Sequence, residues 1–346
     1  MDYHFRNLVF EGGGVKGIAY VGAMKVLEEK RILPDIIRVG GTSAGAINAV
    51  LVGLNYSPAE TQQILGKMNF EKFMDEDFGV LRDINRLMTQ FGWYKGDYFR
   101  EWIGDIIAQK TGNANVTFHQ VQQQKAEKDF KDMYFMGTNI STHFSEVFSH
   151  EYTPRMCVAD AVRISMSIPL FFASRRSFRG DVFVDGGMLD NYPVKLFDRQ
   201  RYVDPKKTGT HTIFTDYYKR HNTSLKKKKL PISPYLYNKE TLGFRLDSEK
   251  EIAMFRDQAE PVAETIDDFF DYTRNLIKTL IDAQTNYHLH SDDWQRTIYI
   301  DTLKVKTTDF KITEAKKKAL VESGRNGTET YFAWYDDPEN NPVNRL

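Results

Sequence analysis

The feature that most narrows the fold of this 346-residue chain is a pair of glycine-rich turns, Gly12-Gly13-Gly14-Val15-Lys16-Gly17 and Gly41-Thr42-Ser43-Ala44-Gly45. Each follows a short apolar run, Phe5 to Phe10 in one case and Ile36 to Val39 in the other. Each also opens a stretch of helical periodicity. Behind the first turn, Ile18, Val21, Ala23, Val26 and Leu27 make one stripe as far as Lys30, and Pro34 ends the unit. Strand, helix, strand, helix at this spacing predicts a right-handed parallel βαβ unit, hence an α/β fold. Neighbouring parallel strands end on the same side, so both turns should lie together at one edge of the sheet.

Further along, Ser57 to Thr111 reads as helical and is rich in aromatics between Phe70 and Trp102. Met133–Thr138, Glu146–Phe148 and Asp181–Val184 read as strands. Val158–Met166 reads as a helix broken by Ser167-Ile168-Pro169. Beyond Asp204 the character changes. Residues 205–250 are polar and lysine-rich, and Glu251–Asn286 has helical periodicity. Ile298–Ile300 reads as one more strand, and the tail from Ala315 is helical. This predicts a catalytic core over 5–203 and a largely helical C-terminal elaboration over 204–346, packed on the same domain.

The 47 basic and 47 acidic residues cancel, which argues against a nucleic-acid partner and requires any attraction to anionic membrane to be local. Cys157 is the single cysteine, so no internal disulfide forms and a reducing, cytoplasmic setting is expected. The start lacks the apolar core of a signal peptide, and no run approaches the ~18 apolar residues of a spanning helix.

The second turn is a G-x-S-x-G sequence. Gly41 and Gly45 allow the tight elbow that lifts Ser43 above the sheet, with the amino end of the next helix behind it to favour a developing anion. Gly12, Gly13 and Gly14 in the neighbouring turn expose backbone N–H groups of the kind an oxyanion hole needs. Gly12-x-Gly14-x-x-Gly17 also satisfies the dinucleotide-binding fingerprint. That reading needs a carboxylate at the end of the second strand, where this chain has Gly41-Thr42-Ser43; Asp35 stands at the wrong end.

A nucleophilic serine needs a base. Here the chain resembles the patatin-like phospholipases, which combine G-G-G-x-K-G, then G-T-S-A-G, then a distant D-G-G. The runs Ala159 to Phe172 and Asp185-Gly186-Gly187-Met188-Leu189-Asp190-Asn191-Tyr192-Pro193-Val194 are close to that family's, and Asn238 to Ser248 is similar to bacterial members. The resemblance implies a central, mainly parallel sheet in a three-layer sandwich and a lipid acyl hydrolase of phospholipase A or lysophospholipase type. It implies a Ser43–Asp185 dyad and an oxyanion hole from Gly12, Gly13 and Gly14. Separately, the carboxylates lack calcium-loop spacing and the histidines lack zinc-ligand pairing, so no cofactor, metal or calcium requirement is expected. Aspartate, with an ordinary pKa of ~3.9, is a weak base at neutral pH unless its surroundings raise it. Asp190 is the alternative carboxylate, with a turn role expected for it.

Three other readings stand beside this one. An α/β-hydrolase triad would draw on His211, His221, His288 or His290, none in a recognisable motif. A non-catalytic lipid-binding protein and the dinucleotide binder are the others. Lys16 is read either as solvated or as placing the glycine loop or an anionic head group. The partner expected is a phospholipid membrane or micelle, with transient association. Candidate contacts are the Phe70–Trp102 aromatics, otherwise core, and Lys226-Lys227-Lys228-Lys229, otherwise a solvated loop.

Overall fold

The computed structural model of the protein describes residues 3–74, 86–177, 179–227, 233–248 and 292–346, with scattered residues between 266 and 280. The chain begins with β1 (Asn7–Phe10), a 3-10 segment over Gly14–Ala19, α1 (Tyr20–Glu29), β2 (Arg38–Gly41), α2 (Ala44–Gly53) and α3 (Pro58–Lys67). Next come β3 (Gly92–Tyr94), α4 (Asp97–Thr111), α5 (Phe118–Lys128), β4 (Asp132–Asn139), β5 (Phe144–Ser149) and α6 (Val158–Ser165). Then follow β6 (Leu170–Phe172), β7 (Arg175–Arg176), β8 (Val182–Asp185), α7 (Gly187–Asp190), α8 (Thr208–His211), β9 (Thr212–Ile213) and α9 (Asp216–Lys227). The last are β10 (Tyr237–Asn238), β11 (Thr241–Asp247), β12 (Thr297–Asp301) and α10 (Glu314–Asp336).

The main sheet runs β12-β11-β1-β2-β4-β8-β7, with β5 on the far edge of β4. β12, β11, β1, β2 and β4 are parallel; β5, β8 and β7 are antiparallel additions. The central strands are almost wholly buried because both faces of the sheet are covered. Leu8 and Phe10 join the large core under the helices. Val9, pointing the other way, meets Tyr134, Phe197 and Tyr202 in a smaller second core.

Two expectations need correcting. The segment Ser57–Thr111 is not one helical stretch: α3 stops at Lys67, and Gly92–Tyr94 is a strand pairing with Leu170–Phe172. The region after Asp204 is also more than a helical appendage. The strand expected at Ile298–Ile300 is present as Thr297–Asp301, but Thr241–Asp247, not expected, is a further strand that pairs in parallel with it and with β1. Composition hid β11 because its Arg245 and Asp247 are buried and pair with one another at 2.8 Å. The helix read over Glu251–Asn286 lies mostly outside the described residues. At the C-terminus, α10 crosses α1 backbone against backbone. A side chain at Gly22 would strike Val321 O, and one at Gly324 would strike Ala19 O.

The register of β4 positions the site. β2 and β8 lie in tandem on the same edge of β4: Gly41 faces Phe135, and Asp185 faces Gly137 two residues further on. β8 therefore continues the line that β2 abandons at Thr42–Ser43, and the end of one strand meets the end of the other.

Candidate active site

Ser43 stands where β2 turns into α2, with φ 54° and ψ −123°. For a residue with a side chain this backbone is strained, and it is held by its surroundings. Gly45 N–H donates to Thr42 O at 2.7 Å and Ala46 N–H to Ser43 O at 2.9 Å, closing the elbow. The N–H of Ser43 donates to the buried Ser165 Oγ at 3.0 Å. The glycines flanking the serine are steric requirements. A Cβ on Gly41 would enter the Gly45 carbonyl, and one on Gly45 would meet Phe10 O and come within 2.7 Å of Glu11 O. Gly45→Ala is therefore expected to destabilise the fold by ~1–3 kcal/mol or more, since only backbone surrounds the added methyl, and urea unfolding would measure it. A variant as stable as the parent would show the elbow to be looser than drawn.

Asp185 ends β8 and is 5% exposed. Its Oδ1 accepts the Gly187 N–H at 2.7 Å, while Oδ2 is buried and has no hydrogen-bond partner among the described residues. Burial pushes its pKa up to about 7, against smaller opposing pulls from the Gly187 N–H and the Ser43 hydroxyl. That hydroxyl lies 3.5 Å from Met166 Sδ. The pair thus comprises a serine at a strained elbow and a carboxyl tuned to change charge near neutrality.

The glycine loop arrives from β1. A Cβ on Gly12 would lie 3.1 Å from Ser43 Cβ, so loop and serine are in contact. Of the three donors expected there, Gly12 is committed elsewhere: its N–H donates to Asn191 O at 3.1 Å. Gly13 and Gly14 N–H have no hydrogen-bond partner among the described residues. The carbonyl of Thr307, from the segment before α10, accepts Val15 N–H at 3.2 Å and covers Gly14. Lys16 is half-buried over Gly13, where its charge acts on Glu11.

Sequence reasoning missed the residues that clamp the two turns together. Asn191 accepts from Gly12 N–H with its backbone, and its Nδ2 donates to Gly12 O and to Glu11 Oε1, each at 3.3 Å. Glu11, 4% exposed, accepts Leu246 N–H at 2.7 Å, tying the loop to β11. Burial pushes the Glu11 carboxyl up, partly offset by Arg245. Thr42 Oγ1 donates to Asp190 O at 2.9 Å, so Asp190 serves the turn through its backbone. The sequence signal was available in the run after Asp185, since Asn191 lies within it.

An apolar cleft opens beside Ser43. Ala44, Ile47 and Asn48 of α2 form one wall, Leu65, Met68, Phe70 and Phe73 another, and Met166, Ile168, Phe172 and Phe310 complete it. The expected aromatic segment is therefore divided: Phe70 and Phe73 are core and cleft wall, whereas Phe91 is exposed.

Of the candidate histidines, the two that lie among the described residues are engaged elsewhere. His211 is buried against Glu240 at 2.7 Å, and the carbonyl of Glu240 accepts the N–H of Asn7 at the start of β1, the opposite end of the sheet from Ser43. His221 is exposed on α9, bonded to Tyr217 O. His288 and His290 lie outside the described residues, as do Lys228 and Lys229. Lys226 and Lys227 close α9. Gly12-x-Gly14-x-x-Gly17 is packed rather than open, with Thr307 on Gly14 and Ala44 Cβ 3.0 Å from the Cβ position of Gly17. Among the described residues no group of three or more metal-ligating side chains occurs, and no helix is long and apolar enough to cross a membrane.

A family model described as "Patatin-like phospholipase" matches residues 8–198. Protein YqhO of Bacillus subtilis (strain 168) is 30% identical over 332 residues, covering 94% of this chain and 97% of that one. Lysophospholipase NTE1 of Candida glabrata is 29% identical over 210 residues, which are 60% of this chain but only 10% of that protein. The crystal structure of VipD from Legionella pneumophila shares the fold, with a TM-score of 0.62 at 16% identity over 95% of this chain and 67% of that one.

Proposed function

The chain belongs to the patatin-like phospholipase family, and on that footing we propose that it hydrolyses acyl esters of phospholipids or lysophospholipids through Ser43 and Asp185. The observation that carries this reading is the pairing of a positive-φ serine with a buried carboxyl whose second oxygen has no hydrogen-bond partner among the described residues and whose pKa is raised to about 7. An aspartate of ordinary acidity would be a poor base; one raised to about 7 can accept a proton at neutral pH.

The chemistry then uses this chain's own groups. The Ser43 hydroxyl turns from Met166 Sδ to the Asp185 carboxylate, which takes the proton as Oγ attacks the ester carbonyl carbon. The oxygen that gains negative charge faces the Gly13 and Gly14 N–H groups and the amino end of α2. As the tetrahedral intermediate collapses, the C–O bond to the leaving alcohol breaks and Asp185 returns the proton to that oxygen. The acyl group remains on Ser43. Water, deprotonated by the same carboxylate, attacks the acyl-enzyme, and the fatty acid leaves as Ser43 regains its proton. The apolar cleft accommodates the acyl chain. The mouth remains for the glycerophospho moiety.

Incubation with a fluorophosphonate probe, followed by peptide mapping, tests the reading. Labelling should fall on Ser43, and mixed phospholipids should yield free fatty acid. An unlabelled protein that releases no fatty acid from either diacyl or monoacyl lipids would overturn it.

A further inference from the structure

The register that brings Ser43 and Asp185 together also fixes what projects beyond them. β4 continues past Gly137, the residue level with Asp185, for two more residues and then turns through Ile140 to Phe144 into β5. At ~3.3 Å per residue, Ile140 stands about 10 Å outward from the level of Asp185. β8 runs the opposite way, so its start at Val182 is likewise outermost, and the turn from β7 lies beyond it. The two hairpins are joined there. Ile140 N–H donates to Val182 O, and Val182 N–H donates to Ser141 Oγ, both at 3.0 Å.

What these tips present is unusual for a surface facing only water. Phe144 is 70% exposed and Ile140 44%, with Phe91 exposed alongside beneath the Arg176 guanidinium at 5.8 Å from its ring. Arg176 and Arg179 are exposed on the neighbouring tip, and Asp181 is the carboxylate among them. Arg175 pairs with Asp97 at 3.5 Å. Among the described residues of the two tips, Arg175, Arg176 and Arg179 outnumber Asp181, a local excess of positive charge set among protruding apolar side chains in a chain that is neutral as a whole. A layer of anionic head groups over acyl chains offers the complement to both.

We propose that the paired hairpin tips carrying Ile140, Phe144, Arg176 and Arg179, with Phe91 beside them, form the surface on which the protein docks onto an anionic phospholipid bilayer. The proposal rests on the hydrolase reading for its biological sense, but the two fail separately. Phe144 and Ile140 enter the head-group layer and the arginines contact lipid phosphates. Docked in this way, the edge of the sheet bearing Ser43 faces the membrane and extraction of a lipid crosses a short gap.

Cosedimentation with vesicles tests it, comparing phosphatidylcholine alone with phosphatidylcholine containing phosphatidylserine. Wild type and Ser43→Ala should both sediment with the anionic vesicles. Ile140→Ser/Phe144→Ser and Arg176→Glu/Arg179→Glu should each bind at least ~10-fold more weakly while keeping the thermal melt and the hydrolysis of a short soluble ester. Variants that bind like wild type would overturn the proposal, as would a self-associated protein dissociated by the same substitutions. A wild type that cleaves the soluble ester but ignores vesicles sinks the docking surface and leaves the hydrolase. One that sediments but cleaves nothing sinks the hydrolase and supports the surface.

Discussion

Ser43→Ala and Asp185→Asn are each expected to lower kcat/KM for an acyl ester by on the order of 10⁴-fold, and the double variant to be no worse than either alone. Groups that act in one proton transfer fail together, so the second loss costs almost nothing once the first has occurred. The pH dependence separates this from a structural effect. Asp185 must be ionised to act as base, and its pKa is raised from 3.8 to about 7, so wild-type kcat/KM should fall as pH drops through about 7. The residual activity of Asp185→Asn should lack that limb.

Stability should move in the opposite direction. A folded-state pKa raised above the unfolded value means that the contribution of this group is fully present below about pH 4 and is lost as pH rises through about 7. Asparagine keeps an acceptor for the Gly187 N–H without a buried charge. Asp185→Asn should therefore melt higher than wild type at pH 8 and alike at pH 4. Equal melting at both values, with the acid limb intact in the variant, would remove Asp185 from the role proposed for it.

The largest stability effect is expected far from the elbow, at Arg296. This residue is fully buried immediately before β12 and forks onto Asp198, Nη1 to Oδ1 and Nη2 to Oδ2, each at 2.7 Å. It also reaches Asp293 Oδ1 through Nε at 3.0 Å, and its guanidinium lies 4.2 Å from the centroid of Tyr237. Asp198 is itself fully buried and accepts from Tyr218 OH and Asn238 N–H. Removing the guanidinium leaves that charge without a counter-ion, a change that typically costs ~3–5 kcal/mol. Arg296→Met should show this in urea unfolding, and adding Asp198→Asn should restore part of it. Arg296→Lys should rescue poorly, because an ammonium cannot make the fork. A loss under ~1 kcal/mol would mean that water relieves Asp198.

The parts of this protein legible in its sequence are those where one residue type answers one physical demand. The glycines around Ser43 mark an elbow because nothing else fits against the Phe10 and Glu11 carbonyls. The apolar β1 and β2 announce a doubly covered sheet. β11 was harder to read, since Arg245 and Asp247 look solvated in isolation but are buried and paired with one another in the fold. The breakdown of Ser57–Thr111 into separate elements depends on Gly92–Tyr94 finding Leu170–Phe172, a partner distant in the chain. Gly12 shows the same limit at the site. A glycine run advertises free N–H groups, but which of them is taken depends on Asn191, and only the folded chain brings Asn191 there.

The tandem seating of β2 and β8 on one edge of β4 makes that strand a ruler for the chemistry. The interval between elbow and carboxyl is written in the β4 hydrogen-bond lattice, as the two residues from Phe135 to Gly137. The stretch between Ser149 and Val182 returns to brace both ends, since Ser165 Oγ accepts the Ser43 N–H and Ser167 O accepts the Asp185 N–H, whereas the long excursion between Gly53 and Asp132 does not enter into it. Loops between Gly53 and Asp132, which supply the cleft residues Leu65, Met68, Phe70 and Phe73, are therefore free to lengthen, shorten or acquire new walls while Ser43 and Asp185 keep their spacing. A slip of one residue along β4 would instead turn Asp185 to the other face of the sheet. If the proposed chemistry holds, much of the cleft wall can drift while the spacing of Ser43 and Asp185 stays fixed.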